Sequence, residues 1–139
     1  MTAMTRLDDW PERLAAVVAC HRAAEFGWGT FDCATFFADA VQAVCGEDPF
    51  NGHGCWASER DALRVLARTK CRSVKECCDA RFPIIPASMA QRGDAGYHAA
   101  FEPLSCPLVV VGVEAVSRTE AGWLIVPTRL LTTVYRIGR

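Results

Sequence analysis

A cysteine placed between a glycine-rich turn and an apolar helix is the feature of this chain best suited to chemistry. Phe26-Gly27-Trp28-Gly29-Thr30-Phe31-Asp32-Cys33 runs directly into Ala34-Thr35-Phe36-Phe37-Ala38-Asp39-Ala40-Val41. The first turn of a helix presents unpaired backbone N–H groups and the positive end of the helix dipole, and both favour a negative sulfur. Cys33 is therefore expected to ionise below the usual thiol pKa of about 8.5 and to be the candidate nucleophile. Cleaving an amide asks for more: an acid to protonate the leaving nitrogen and a base to activate water. The chain has three histidines, His21, His53 and His98, from which such a group could come.

The elements that must position these residues read as helices first and strands after. A helix is expected from about Trp10 to Glu25, with Asp9 as N-cap and Glu12 completing a capping box. Leu14, Val17, Val18 and His21 share its apolar face, so His21 is expected as a packed core-edge residue. A second helix should start near Asp32 and stop at Gly46, with Cys33, Phe36, Phe37, Ala40, Val41 and Val44 facing the core. Asp48 to Trp56 reads as a loop, which leaves His53 facing solvent. A third helix is expected after the N-cap Ser58, turning Ala62, Leu63 and Leu66 inward. A fourth begins at Ser73 with Glu76 in the capping-box position and ends before Pro83 and Pro86. Beyond Gly93-Asp94 the pattern becomes strand-like. The expected strands are Ala95 to Phe101, Pro107 to Glu114 with an extension over Ala115 to Ser117, Trp123 to Val126, and Thr133 to Ile137. Helices followed by an antiparallel sheet make an α+β domain.

Composition narrows the classes of function. The chain has 139 residues, enough for one domain spanning 1–139 with a sizeable core, since 51% of them are hydrophobic. Fifteen basic and 16 acidic residues give a formal net charge of −1, so nothing draws this chain to nucleic acid or anionic lipid. No apolar run approaches the roughly 20 residues of a membrane span, and Met1 to Arg6 leads into Asp8 and Asp9 without a hydrophobic leader, which points to synthesis in the cytoplasm. The eight cysteines stand at 20, 33, 45, 55, 71, 77, 78 and 106 with no C-x-x-C pair. His53, Cys55 and the vicinal Cys77-Cys78 are the residues with metal-ligand chemistry, but their spacing matches no zinc motif, and no metal or cofactor is expected. Without a secretion signal a disulfide framework is not expected either, and Cys20 and Cys45 read as small hydrophobes on helices.

Three segments, in this order, resemble the NlpC-type branch of the papain-like cysteine peptidases, and in particular its short members associated with phage tails. They are Leu7-Asp8-Asp9-Trp10-Pro11-Glu12-Arg13-Leu14, Trp28-Gly29-Thr30-Phe31-Asp32-Cys33, and Pro86-Ala87-Ser88-Met89-Ala90-Gln91-Arg92-Gly93-Asp94. The resemblance spans most of the chain. It implies a papain-like layout, N-terminal helices followed by a small antiparallel β-sheet, with Cys33 in the nucleophile position. It also implies a catalytic histidine opening the strand after the Gly-Asp strand, where this chain has Pro107-Leu108-Val109-Val110-Val111. On the next strand Ser117, Arg118 and Thr119 suit the orienting role poorly. Since papain-like sites draw the base from this sheet, His98 is the candidate substitute for it.

A thiol lacking its base loses roughly two to four orders of magnitude in rate. The expected function is therefore that of a structural component of a phage-type tail tip or baseplate, carried on a degenerate peptidase fold. The alternative is an active peptidoglycan-cleaving cysteine peptidase or amidase using Cys33 and His98. A metal- or cluster-binding protein is a third, weaker reading. The resemblance implies the tail hub and distal tail proteins as partners, peptidoglycan as the substrate of the alternative, and the virion tail as location after synthesis in a host bacterium. Trp28, Phe31 and Trp56 are expected to line the edge of the former substrate groove.

Overall fold

In a computed structural model the chain is described over residues 5–28, 30–50, 73–100 and 107–138, and at positions 58, 60, 61, 64, 67 and 68. Three helices are bounded there: α1 (Trp10–Ala23), α2 (Cys33–Cys45) and α3 (Val74–Arg81). Positions 60, 61, 64 and 67 are also helical, and Ser58 Oγ accepts from Asp61 N at 3.2 Å, as expected for that N-cap. Ala62, Leu63 and Leu66 lie outside the described residues. Six strands follow: β1 (Ile84–Ile85), β2 (Ala95–Tyr97), β3 (Leu108–Val110), β4 (Glu114–Thr119), β5 (Gly122–Pro127) and β6 (Thr133–Tyr135). They form one sheet in the order β1-β6-β2-β3-β4-β5, and every pairing is antiparallel. The expected α+β class, helices before an antiparallel sheet, is what the chain adopts.

Several boundaries differ from the sequence expectation. The capping box at Asp9 does not form. Asp9 has φ −101° and ψ 22°, no side-chain cap, and a carboxylate that accepts from Arg13 Nε at 2.8 Å instead. The Pro107–Glu114 run is not one strand. Gly112, at φ +143°, turns the chain after Val110, and Glu114 opens β4 as a separate strand. Gly112 and Val113 therefore close a hairpin within an apolar run that looked continuous. β1 is a two-residue strand with no periodicity to reveal it.

α2 is the best specified element. Asp32 is extended and its Oδ1 accepts from Thr35 N at 2.7 Å. At the other end Gly46 adopts φ +77° and donates its N–H to Gln42 O at 2.7 Å. Phe36, Phe37, Ala40, Val41 and Val44 are buried in the larger core cluster. That cluster lies between the helices and one face of the sheet, which contributes Ala95, Tyr97, Val109, Val116 and Tyr135. The opposite face carries a second cluster, Leu108, Val110, Ala115, Val126, Leu131 and Val134. It packs beneath Ile85, Ala87 and Ala90.

One ion pair ties the chain's ends to the sheet. Arg6 Nη2 lies 2.9 Å from Asp94 Oδ1, with side-chain exposures of 9% and 0%. The other Arg6 donors reach Ile137 O at 3.0 Å and Arg92 O at 2.7 Å. Asp94 also accepts from Gln91 N at 2.9 Å and Ile137 N at 3.0 Å. Gly93 has φ +95°, and a Cβ there would lie 3.0 Å from Arg6 Nη1 and 3.2 Å from the Trp10 ring. Gly-Asp is thus the pair that lets a guanidinium enter this corner. Removing one partner of such a pair strands the other charge in the interior. Arg6→Ala is expected to lower the unfolding free energy by about 3–5 kcal/mol in urea denaturation. A loss below about 1 kcal/mol, the size of a surface pair, would contradict a structural role for this corner.

Candidate functional site

Local hydrogen bonding builds the cysteine turn. Gly27 N donates to Phe31 O at 3.2 Å and Phe31 N to Gly27 O at 2.8 Å, which closes a narrow loop ahead of the helix. A Cβ on Gly27 would come within 2.9 Å of Thr30 Oγ1, so a larger residue there would displace the Thr30 hydroxyl. The chain then leaves through Asp32, which is 1% exposed and caps the helix. Cys33 becomes the first helical residue. It is half-buried and borders the larger core cluster, as Trp28 and Trp123 do. The sequence expectation for Cys33, a helix N-terminus at the core's rim, agrees with this placement.

The sheet register shows what lies at the same end. Val109 pairs with Val116, Val116 with Ile125, and Arg118 with Trp123. Directly paired antiparallel residues share a face, and every second residue returns to it. Val116 belongs to the helix-side cluster, and the Trp123 ring meets Phe36 of α2 edge-on at 5.3 Å. Arg118 and Trp123 therefore stand on the α2 face. The C-terminal end of α2 is near Leu7, whose N–H reaches Val44 O at 2.8 Å, and so at the Arg6–Asp94 corner. Cys33 lies at the other end of α2. Extending the β2–β3 register by one residue sets Tyr97 opposite Pro107. Pro107 is buried and carries no group able to take or give a proton.

The described histidines are engaged elsewhere. His98 follows β2, is half-buried, and its Nδ1 accepts from Ala100 N at 3.1 Å. His21 is buried at 2% exposure, deeper than a core-edge position. Its Nε2 lies 2.8 Å from Asp39 Oδ2, and its ring sits 5.1 Å from both Phe31 and Phe36. The His21–Asp39 contact links the last turn of α1 to the middle of α2. Sequence reasoning saw the apolar face of His21 but missed its partner. The available signal was that a histidine on an apolar stripe needs an acceptor, and Asp39 is the acidic residue within α2. His53 lies outside the described residues.

The cysteines divide by environment. Cys20 is exposed, contrary to its reading as a small core hydrophobe, because it faces outward from α1. Cys45 is buried, and burial pushes its thiol up to about 11. Burial also pushes the Cys78 thiol far up, with the Asp79 carboxylate adding to the effect. Cys77 is disulfide-bonded, where the sequence reading expected no disulfide framework. Compartment was the basis of that expectation, whereas the pairing is decided by which residues the fold brings together. Cys55, Cys71 and Cys106 lie outside the described residues. Among the described residues no group of three or more histidines, cysteines or carboxylates is arranged to hold a metal ion. No helix among them is long and apolar enough to cross a membrane.

The family model described as Domain of unknown function (DUF6950) matches residues 5–137. The chain belongs to this family. No curated protein matches it. The DUF6950 match covers both the Arg6–Asp94 corner and the Cys33 turn, so the two features belong to one family domain.

Position in this DUF6950 domain should set cysteine reactivity. With iodoacetamide at pH 8, Cys33 is expected to alkylate faster than Cys45 and Cys78. At pH 8 a thiol titrating about three units higher is ionised only about one part in a thousand. Cys45 labelling should therefore keep rising roughly tenfold per pH unit until the pH approaches its raised value of about 11. Peptide mass spectrometry of labelled samples reads both. Equal rates for Cys33 and Cys45 in the folded protein would contradict the assignment of Cys33 to an accessible helix terminus.

Proposed function

We propose that this DUF6950 domain is a structural component of a phage-type tail tip or baseplate, built on an NlpC-like layout whose peptidase chemistry has lapsed. Pro107 carries the reading. It stands immediately before β3, where the resemblance to NlpC-type peptidases puts the catalytic base, and an imino acid cannot move a proton. The arrangement of the histidines supports it. His21 is committed to Asp39, and His98 Nδ1 to Ala100. Cys33 keeps the nucleophile's position at a capped helix start, next to the end of a sheet that carries aromatic side chains. A rigid α+β block with such an end is useful for assembly without any reaction.

The second reading is an active cysteine peptidase or amidase acting on peptidoglycan, with Cys33 as nucleophile and His98 as base. It is favoured by the half-buried position of Cys33, which is accessible enough for attack. On the first reading the domain resides in the virion tail and meets the hub and distal tail proteins there. Of the expected groove-edge residues, Trp28 is half-buried with its ring edge-on to Phe26 at 5.1 Å. Phe31 is half-buried against His21. Trp56 lies outside the described residues.

Co-purification with candidate hub and distal tail proteins tests the reading. Wild type and Cys33→Ala should be retained equally. Phe31→Ala, if its thermal unfolding shows it folded, should be retained at least about tenfold less well, as for an aromatic interface anchor. Failure of the wild type to join any hub or distal tail protein would sink the structural assignment.

A further inference from the structure

The sheet ends on one side in an unguarded edge. β5 stands last in the strand order, and β4 is the strand it pairs with. Thr128 N donates to Val113 O at 2.9 Å, in step with the β4–β5 register. Ladder bonds in an antiparallel pair recur at every second residue, so Gly122, Leu124 and Val126 bond to β4. Trp123, Ile125 and Pro127 turn their backbone groups the other way. Pro127, which has no N–H to offer, falls on that outer side, where an edge strand tolerates proline.

Natural sheet edges are blunted by shortness, by charge or by a covering element. The opposite edge, β1, is two residues long. β5 has six residues, Gly122-Trp123-Leu124-Ile125-Val126-Pro127, and none of them is charged. Ile125 is 46% exposed, although its register with Val116 sets it on the face that α2 packs against. The helix layer therefore stops short of Ile125. Trp123 and Leu124, on alternate faces, are half-buried. Outward backbone donors and acceptors flanked by half-open apolar side chains form a surface suited to a further strand.

We propose that β5 pairs with β5 of a second copy of this chain, antiparallel about a two-fold axis, so that two sheets join edge to edge. Two identical antiparallel strands are self-complementary, and a two-fold closes the assembly at the dimer. Charge selects this occupant. Glu120 flanks β5 at one end and Arg129 at the other, and both are exposed. Neither makes an ion pair among the described residues. Antiparallel self-pairing carries Glu120 of each copy toward the partner's Arg129. Setting Leu124 against the partner's Leu124 puts Trp123 beside the partner's Ile125, where each satisfies the other's outer N–H and C=O. Pro127 then lies beyond the last bond of the new ladder. On the helix face the exposed Ile125 is covered by the partner's Trp123, an aromatic and β-branched cross-strand pair. The dimer goes beyond the tail-assembly reading and does not depend on it.

Sedimentation equilibrium of the full chain over about 1–200 μM tests this, since a dimer follows mass action. Six paired residues make a small interface, so a reversible monomer–dimer equilibrium within that range is expected. Ile125→Lys places a charge at the middle of the seam and should weaken dimerisation about tenfold or more. Ile84→Lys, at a residue 60% exposed on the opposite edge, should leave it unchanged. Glu120→Lys sets like charges against each other and should weaken the dimer about threefold, and adding Arg129→Glu should restore it. Thermal unfolding checks that each variant is folded. The charge reversal and its rescue involve exposed side chains, so they decide the matter even if Ile125→Lys fails to fold. By amide hydrogen exchange, the Trp123 and Ile125 N–H groups should be slower in the dimer than in the monomer. A wild type that stays monomeric throughout, or that grows beyond a dimer, would overturn the proposal. So would a dimer that neither Ile125→Lys nor the charge reversal weakens, or one whose Trp123 and Ile125 amides exchange as in the monomer.

Discussion

The buried contact between Arg6 and Asp94 is the constraint on which the arrangement of this domain rests. Asp94 Oδ1 serves both Arg6 Nη2 and the N–H of Ile137, and Oδ2 serves Gln91 N, so one carboxylate joins the N-terminal segment, the turn into β2 and the segment after β6. Arg6 adds Arg92 O and Ile137 O, and its guanidinium lies 4.5 Å from the Trp10 ring centroid at the start of α1. Desolvating both charges is expensive, and the hydrogen bonds around them are what make the pair tolerable. The benefit is registration: α1, the sheet and the end of the chain are placed relative to one another by a single polar corner.

With that corner fixed, the rest of the site follows by lever arm. Leu7 holds the C-terminal end of α2 through Val44 O. α2 then runs along the sheet for 13 residues, with Cys33 at the far end, one turn before Phe36, whose ring meets Trp123. His21 grips α2 from the side through Asp39. A glycine at 96 lets two strands approach closely, since a Cβ there would sit 2.3 Å from Thr133 O. The layout carries a cysteine to the rim of the core, and it does so whether or not a base awaits the thiol there.

Much of this was legible in the sequence because the relevant signals are local. Asp32, Cys33 and Gly46 mark the two ends of α2 by capping chemistry, and Ser73 with Glu76 marks α3 in the same way, Ser73 Oγ accepting from Glu76 N at 3.1 Å. What was missed depends on partners far along the chain. Arg6 and Asp94 are 88 residues apart, and nothing in either neighbourhood announces the other. Gly93-Asp94 read as a turn motif, whereas the aspartate is there for a distant arginine. The break at Gly112 was hidden because an apolar run of β-branched residues looks the same with or without a hairpin. His21 was placed on the right face but too near the surface, since its burial depends on Asp39 from another helix. Arg118 was weighed as an orienting group and set aside. Only the register puts it on the helix face opposite Trp123.

The central claim is that the layout of a cysteine peptidase persists here without its chemistry. Incubating the purified protein with intact peptidoglycan sacculi and analysing the soluble fraction by mass spectrometry tests this most directly. The account predicts no muropeptide release above the buffer blank, with wild type and Cys33→Ala indistinguishable. Release by the wild type that disappears in both Cys33→Ala and His98→Ala would contradict it and would establish the enzyme.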